Sequence, residues 1–315
     1  MLYRTVNFMW LKCYNALLIC CVPVLKKLVI FGVGLIGGSA ALAVKKAGFV
    51  TNIVGVGRSQ KSLQEALNLG VIDSFSNALE ANINAACSDA ELILIAAPVA
   101  QTANILRSIK PHLTNQTIIT DAGSTKGDVL ACAREVLGDQ FNQFVGGHPI
   151  AGAEKNGVAA ANADLFLGKN VVLTPSPEAN KDAVLAVTAL WQACGAKVSE
   201  MSAETHDSIF AAVSHLPHLL AFALVDDIAS RPNAAELFGF AASGFRDFTR
   251  IAGSSPEMWR DISLANRTAL LGEISAFENE LNQLKQMLAS EDGAGLQALF
   301  GRASVARNAW TNGKK

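Results

Sequence analysis

The sequence has no excess of basic residues: 26 lysines and arginines stand against 27 aspartates and glutamates, for a formal net charge of −1. Proteins that bind along DNA or RNA neutralise phosphates with clustered positive charge, so this balance argues against nucleic-acid binding. Charged residues are only 17% of the 315 residues, whereas hydrophobic residues are 50%. A disordered chain is therefore excluded, and two domains of ordinary size can be built.

Cysteine is scarce and unpatterned. The six cysteines form no C-x-x-C pair, and none lies at a zinc-like spacing from a histidine. This argues against a disulfide scaffold and against a structural metal, and it fits an enzyme whose thiols stay reduced. We therefore expect a cytoplasmic protein that binds no metal.

The N-terminal region lacks an apolar run long enough to span a membrane. Ala16–Leu25 is apolar, but it is short, contains Pro23 and has no small-x-small cleavage site. We therefore interpret residues 1–26 as an extension or an over-long start, with no signal peptide and no membrane association.

From Lys27 onward, short apolar runs alternate with helix-length segments such as Gly38–Ala47 and Ser59–Leu69. Strands that alternate with helices predict a mostly parallel sheet covered on both faces, here over residues 27–199. The predicted strands are Lys27–Phe31, Asn52–Val56, Leu92–Ala96, Thr117–Asp121, Phe144–Gly147, Val171–Thr174 and Ala196–Ser199.

Residues 200–315 are predicted to be all helical and contain no internal repeat. Ser202 is a candidate N-cap for a helix that runs to Ala229, and Ser255-Pro256-Glu257 is a strong helix start. The further expected features are a break at Arg231-Pro232-Asn233, helical stretches over Phe245–Ile251 and Trp259–Leu288, a break at Glu291-Asp292-Gly293 and a last helix over Leu296–Trp310.

A glycine-rich loop follows the first predicted strand and opens a helix. In such G-x-G-x-x-G loops the first glycine permits a tight turn, the second lets a pyrophosphate approach the backbone, and the third lets helix and strand pack closely. The fold class predicted is thus α/β, with an N-terminal Rossmann-type dinucleotide-binding domain. The loop residues expected to contact the cofactor are Gly32, Val33, Gly34, Leu35, Ile36 and Gly37.

The second predicted strand is followed by Arg58 and Ser59 rather than by the acid that usually binds the ribose of NAD. An arginine at this place can receive the 2′-phosphate of NADP. We expect NADP, or use of both NAD and NADP; the alternative is that Arg58 stacks on adenine or faces solvent. Three further residues at strand ends are expected to line the cofactor site: Ala97, Pro98 and Asp121.

Polar segments lie at the carboxyl ends of two neighbouring strands, where ligands bind in such a sheet. His148 follows the fifth predicted strand in a glycine-lined loop, and Ser124 follows the fourth. A histidine there is well placed as a general base, and Ser124 could orient it or contact the same substrate hydroxyl. The alternative is that His148 has only a structural role.

The helical half adds two histidines and two arginines. His215 and His218 flank Pro217, which should bend its helix. Substrate contact or packing fits these histidines better than metal binding, since no acidic or cysteine partner is near in sequence. Arg246 and Arg250 are four apart, hence on one helical face, and either guanidinium could bind a carboxylate or form a surface pair with Asp247.

Together these segments resemble the prephenate/arogenate dehydrogenase family, which includes the cyclohexadienyl dehydrogenases. The resemblance runs from about Lys27 to at least Phe277. It implies a C-terminal all-α dimerisation domain and a homodimer. The most specific stretches are Gly32–Gly38, Asp121–Lys126, Gly146–Gly157, Ser214–His218 and Phe245–Asp261.

The resemblance implies an oxidative decarboxylation. The ring carbon of prephenate or arogenate that bears the hydroxyl loses hydride to NAD or NADP, the ring carboxylate leaves as CO2 and the ring becomes aromatic. His148 would accept the hydroxyl proton, Ser124 would share that hydroxyl, and Arg250, rather than Arg246, matches the carboxylate-binding arginine. Four residues match positions that line or border the substrate pocket: His215, His218, Glu154 and Trp259.

Two absences qualify the resemblance. Too few residues precede Lys27 for the chorismate mutase domain of some relatives, and no βαββαβ pattern follows Asn266, so any inhibition by tyrosine is expected at the active site.

Two other protein classes are alternatives to this family. A β-hydroxyacid dehydrogenase needs a lysine that Ala203–Ser230 lacks, and a nucleotide-binding sensor without catalysis should lack a pair such as Ser124 and His148.

Overall fold

A computed structural model describes residues 24–77, 80–152 and 156–313. The α/β prediction is confirmed: the described residues contain an eight-stranded sheet with the order β3-β2-β1-β4-β5-β6-β7-β8. The strands are β1 (Leu28–Phe31), β2 (Ile53–Gly57), β3 (Ser74–Asn77), β4 (Leu92–Ile95), β5 (Ile118–Asp121), β6 (Phe144–Pro149), β7 (Asn170–Thr174) and β8 (Lys197–Glu200).

The sheet is mostly parallel, as predicted, but the β6–β7 pair is antiparallel. Strand β1 lies between β2 and β4, and the chain moves outward from it in both directions. The carboxyl ends of β1 and β4 therefore border the crevice where such sheets bind ligands.

The central strands of the sheet are buried on both faces, which explains the continuous apolar runs in the sequence. Within β1, Leu28 and Ile30 belong to one apolar core, and Val29 and Phe31 belong to another. Side chains of a strand alternate between faces, so a strand that contributes to both cores must be apolar throughout.

The helices that follow the strands cover these cores. In the N-terminal part they are α1 (Leu35–Lys46), α2 (Gln60–Asn68), α3 (Glu80–Cys87), α4 (Thr102–Ile109), α5 (Gly127–Leu137) and α6 (Lys181–Ala193). Those after β8 are α7 (Ala203–Phe210), α8 (Leu216–Ala229), α9 (Ala234–Gly239), α10 (Ser243–Thr249), α11 (Pro256–Ala265), α12 (Arg267–Ala289) and α13 (Gly293–Asn312).

The chain divides into two compact units. One comprises the residues up to Ile209 together with Arg250–Asn266, and the other comprises Phe210–Thr249 and the residues from Arg267 onward. The first unit holds the sheet, and the described residues of the second form helices joined by short turns. The proposed division of the chain into domains 27–199 and 200–315 stays a prediction. Of the proposed extension 1–26, the structure describes only residues 24–26, where Leu25 bridges to Val50.

The helical stretch Ala203–Ala229 begins as predicted, because Ser202 Oγ accepts a hydrogen bond from the Thr205 amide. A turn of π-helix, Ala211–His215, separates α7 from α8, and Pro217 is the second residue of α8. Proline lacks the amide for a regular helical bond, and a wide turn accommodates that loss. By length and composition alone this stretch could cross a membrane, and 28% of its most apolar window is buried.

Two helix predictions need correction. Trp259–Leu288 is not one helix, because Asn266 ends α11 and its side-chain amide donates instead to the Asp207 carbonyl oxygen at 2.8 Å. Helix α10 ends at Thr249, so Arg250 begins a 3₁₀ turn and does not continue the helical face of Arg246. Helical spacing alone cannot reveal such ends when the flanking residues stay helix-compatible.

Candidate functional site

The glycine-rich loop takes the conformation that its sequence predicts. Gly32 has φ of +93°, and a Cβ there would lie 2.6 Å from the Ala96 carbonyl oxygen. A Cβ on Gly37 would collide with the Gly32 carbonyl oxygen. Two of the three glycines are thus required by the close packing of β1, β4 and α1.

The middle glycine has a different surrounding. A Cβ on Gly34 would meet no described atom within 4 Å, and Gly34 precedes the first residue of α1. Open space at a helix N-terminus is what a pyrophosphate needs, because amide groups and the helix dipole favour an anion there. The loop therefore fits a dinucleotide.

The residues predicted at the adenosine end follow β2. Arg58 is exposed, and Ser59 caps α2 by accepting a hydrogen bond from the Ser62 amide at 3.2 Å. Ala97 and Pro98 come after Ala96, the residue that follows β4 and whose carbonyl crowds Gly32. Cofactor contacts of these four residues stay predictions.

A buried ion pair connects the end of β5 to Gly147, which lies inside β6. Lys126 is fully buried; its ammonium pairs with the Asp121 carboxylate and donates to the Gly147 carbonyl oxygen at 2.9 Å. Asp121 also accepts from the amides of Gly123 at 2.8 Å and Gly147 at 3.0 Å. Asp121, predicted as a cofactor contact, thus holds together the segments that carry Ser124 and His148, and its role toward the cofactor stays a prediction.

His148 lies inside β6, not in a loop after it as the sequence suggested. Strand β6 pairs with β5 only at Phe144 and Val145, and then pairs with β7 through Pro149. The antiparallel partner extends the strand beyond the end of β5. His148 therefore stands on regular, hydrogen-bonded backbone, which is more rigid than a loop.

His148 is held by a pair of residues that the sequence analysis missed. Its Nδ1 lies 2.9 Å from Nε2 of His206, and Nδ1 of His206 lies 2.8 Å from the Asp207 carboxylate. His206 is fully buried on α7. The adjacent His and Asp were the only local signal, because 58 positions separate the two histidines in the chain.

The surroundings fix the charge states of this pair. Burial, the largest influence, lowers the pKa of His206 and outweighs the opposing effect of Asp207. Burial by itself would raise the pKa of Asp207, but hydrogen bonds from His206 and from the amides of Gly127 and Lys126 lower it. At neutral pH, His206 is therefore neutral and Asp207 is ionised.

Other predicted site residues belong to the same unit. Ser124 is half-buried at the carboxyl end of β5, between Gly123 and the buried Thr125. Trp259 is buried on α11, a helix that packs against the turn Val99–Gln101 after β4. Arg250 is exposed at the start of its 3₁₀ turn.

The remaining predicted residues lie in the second unit or outside the described residues. His215 is buried, and His218 Nδ1 lies 2.8 Å from the Ser214 carbonyl oxygen. Arg246 is exposed, with Nε 3.7 Å from an Asp247 carboxylate oxygen, which is the surface pair that the sequence left as an alternative. Glu154 lies outside the described residues.

Two family models match nearly the whole described chain. One, described as the nucleotide-binding domain of prephenate dehydrogenase, matches residues 40–200. The other, described as the dimerization domain of prephenate dehydrogenase, matches residues 202–302.

Individual proteins agree with these models. Prephenate dehydrogenase of Bacillus subtilis is 39% identical over 88% of this chain and 74% of its own length. Cyclohexadienyl dehydrogenase of Zymomonas mobilis is 34% identical over 90% of this chain and 96% of its own. The crystal structure of Aquifex aeolicus prephenate dehydrogenase with hydroxyphenyl propionate and NAD+ superposes with a TM-score of 0.84, at 37% identity, over 90% of this chain and 97% of that one. These matches show that the chain belongs to the prephenate dehydrogenase family.

Proposed function

We propose that the protein oxidatively decarboxylates prephenate to 4-hydroxyphenylpyruvate, or arogenate to tyrosine, with NAD or NADP as the hydride acceptor. Family membership supports an NAD(P)-dependent oxidoreductase. The observation that carries the proposal is the placement of His148: it stands on β6, at the strand-end edge of the sheet that carries the dinucleotide loop, and a buried partner holds its Nδ1. The product implied is tyrosine or its keto precursor, which places the reaction in tyrosine biosynthesis.

The chemistry requires a proton acceptor and a cation. The cofactor, when bound, takes the hydride from the ring carbon that bears the hydroxyl. Nε2 of His148 accepts the hydroxyl proton, so a carbonyl forms at that carbon. The bond to the ring carboxylate then breaks, CO2 leaves, and its electrons make the ring aromatic with a phenolate oxygen, to which His148 can return the proton. Ser124 contacts the same hydroxyl, and Arg250 binds a carboxylate.

A direct assay tests this function. Purified protein is given prephenate or arogenate, each with NAD+ and with NADP+, and the reduced cofactor is followed by absorbance while CO2 release is measured. We expect turnover with at least one of the four combinations, with one CO2 per hydride. Oxidation of neither substrate by either cofactor would contradict the proposed function.

Arg58 provides a prediction about cofactor choice. Arg58→Asp should raise kcat/KM for NAD+ relative to NADP+, because a carboxylate can accept the ribose hydroxyl and repels a 2′-phosphate. Arg107→Asp, at a residue of α4 whose guanidinium bonds to Asn104, is the matched charge control. An unchanged ratio in Arg58→Asp would show that this side chain does not contact that end of the cofactor.

We also propose a cytoplasmic homodimer, with no nucleic-acid or membrane partner and with any tyrosine inhibition acting at the active site. The matched dimerization domain supports the dimer, as do large apolar side chains exposed on the second unit, such as Phe240 at 84% and Val305 at 71%. A second copy that covers such surface would also account for the apolar stretch Ala203–Ala229 without a membrane.

Light scattering on the protein as it elutes from a size-exclusion column tests the homodimer. The measured mass should be twice the chain mass, and a monomeric mass at micromolar protein concentration would contradict the dimer.

A further inference from the structure

We propose that His206 and Asp207 act as positioning residues that fix the tautomer of His148, so that Nε2 of His148 is the proton-accepting nitrogen. The role of His148 as a proton acceptor rests on the proposed function. The tautomer of His148 is argued from the chain of hydrogen bonds that runs from His148 through His206 to Asp207.

The chain of bonds has a defined anchor. The Asp207 carboxylate accepts from the backbone amides of Lys126 at 2.9 Å and Gly127 at 2.8 Å, which open helix α5. A helix N-terminus and two amide donors favour the ionised form, which can only accept hydrogen bonds. A Cβ at position 127 would lie 2.9 Å from Oδ2 of Asp207, so glycine is what allows this approach.

The direction of each hydrogen bond follows from that anchor. Because Asp207 only accepts, Nδ1 of His206 carries the proton of their bond. Neutral His206 then has its lone pair on Nε2, so Nδ1 of His148 must be the donor in the 2.9 Å bond. Neutral His148 with a proton on Nδ1 has its lone pair on Nε2. The tautomers are thus assigned from the hydrogen-bond pattern.

The remaining charged groups near this chain do not disturb the assignment. Lys126 and Asp121 both influence His206 electrostatically, and they pair with each other in the buried ion pair. Asp128 and Glu204 both interact electrostatically with Asp207. Asp207 is nevertheless the anion that contacts His206. When His148 gains the substrate proton, the neutral ring and the carboxylate behind it stabilise the new positive charge.

His206 is the residue to vary, because changing Asp207 would also remove the cap of α5. His206→Leu keeps a similar volume and removes the acceptor for Nδ1 of His148. His206→Gln is the matched variant, since its side-chain carbonyl oxygen can accept the same proton. We expect His206→Leu to lose about tenfold or more in kcat, because one hydrogen bond biases a tautomer equilibrium by about that factor. The KM for the cofactor should stay near normal, and His206→Gln should recover most of kcat.

Two readouts separate positioning from a merely structural role. The first is the imidazole tautomer by ¹⁵N NMR, which is practical because the protein has only five histidines. His148 should carry its proton on Nδ1 in the natural protein and become a mixture of tautomers in His206→Leu. The second is the pH profile of kcat/KM, whose acid limb should move to lower pH in His206→Leu, because the protonated base has lost its stabilising partner.

The outcomes are decisive in both directions. A proton on Nε2 of His148 in the natural protein would overturn the assignment without the need for any variant. An unchanged kcat in folded His206→Leu would overturn the positioning role. If the natural protein turned over neither prephenate nor arogenate, the proposed function would fail, whereas the NMR spectrum would still decide the tautomer.

Discussion

Replacement of His148 by asparagine is expected to lower kcat by about a hundred- to ten-thousandfold, the usual cost of removing a general base. Asparagine has no imidazole to take the substrate proton. Its side-chain amide can still donate to Nε2 of His206 from a position close to that of Nδ1. The buried partner therefore stays satisfied, and the variant should fold with a near-normal melting temperature.

His112→Asn is the control for this experiment. His112 lies in a short 3₁₀ turn after α4 and takes no part in the proposed site. Steady-state kinetics of both variants, with melting curves, should show a large loss only for His148→Asn. Turnover within a few fold of the natural protein in folded His148→Asn would remove His148 from the proposed chemistry.

Arg250→Ala is expected to raise KM for the substrate by roughly thirtyfold to a few thousandfold, the range for loss of a charge-assisted pair. Prephenate carries two carboxylates that must leave water to reach the cofactor, and an unpaired buried carboxylate is costly. Arg250 belongs to the unit that holds the sheet. Cofactor affinity, measured by direct titration, should stay near normal.

Arg246→Ala is the matched variant, because Arg246 is also an exposed arginine and its Nε lies 3.7 Å from an Asp247 carboxylate oxygen. It should change KM much less. The reverse order of effects would move carboxylate binding to Arg246. If neither variant altered KM, the carboxylate would be held elsewhere, with His218 or a residue of a second copy as the next candidates.

The sequence predicted those parts of the fold that depend on local pattern. The apolar runs were found because strands buried on both faces must be apolar throughout, as β1 shows. Strand β3 was missed because Ser74–Asn77 has a single large apolar residue and is not fully buried. Edge strands with one apolar side chain carry almost no periodic signal.

The candidate site was predicted less completely, and the reason is again physical. The spacing of the glycines specifies the backbone conformation of the loop, so the dinucleotide-binding loop could be inferred from its sequence. The contact between His148 and His206 depends on how α7 packs beside the sheet, which no local pattern encodes. His148 itself was found as a candidate, but its place inside β6 depends on pairing with β7, a partner more than twenty positions away.

The buried pair of Lys126 and Asp121 also limits how this sequence can diverge. Neither side chain can be exchanged alone without leaving a charge in the interior, which is far more costly than exchanging both. Replacement of one of these two residues at a time would therefore destabilise the protein. Variation among descendants of this protein should appear there as joint replacements or not at all, even though the chemistry proposed for His148, Ser124 and Arg250 uses neither side chain.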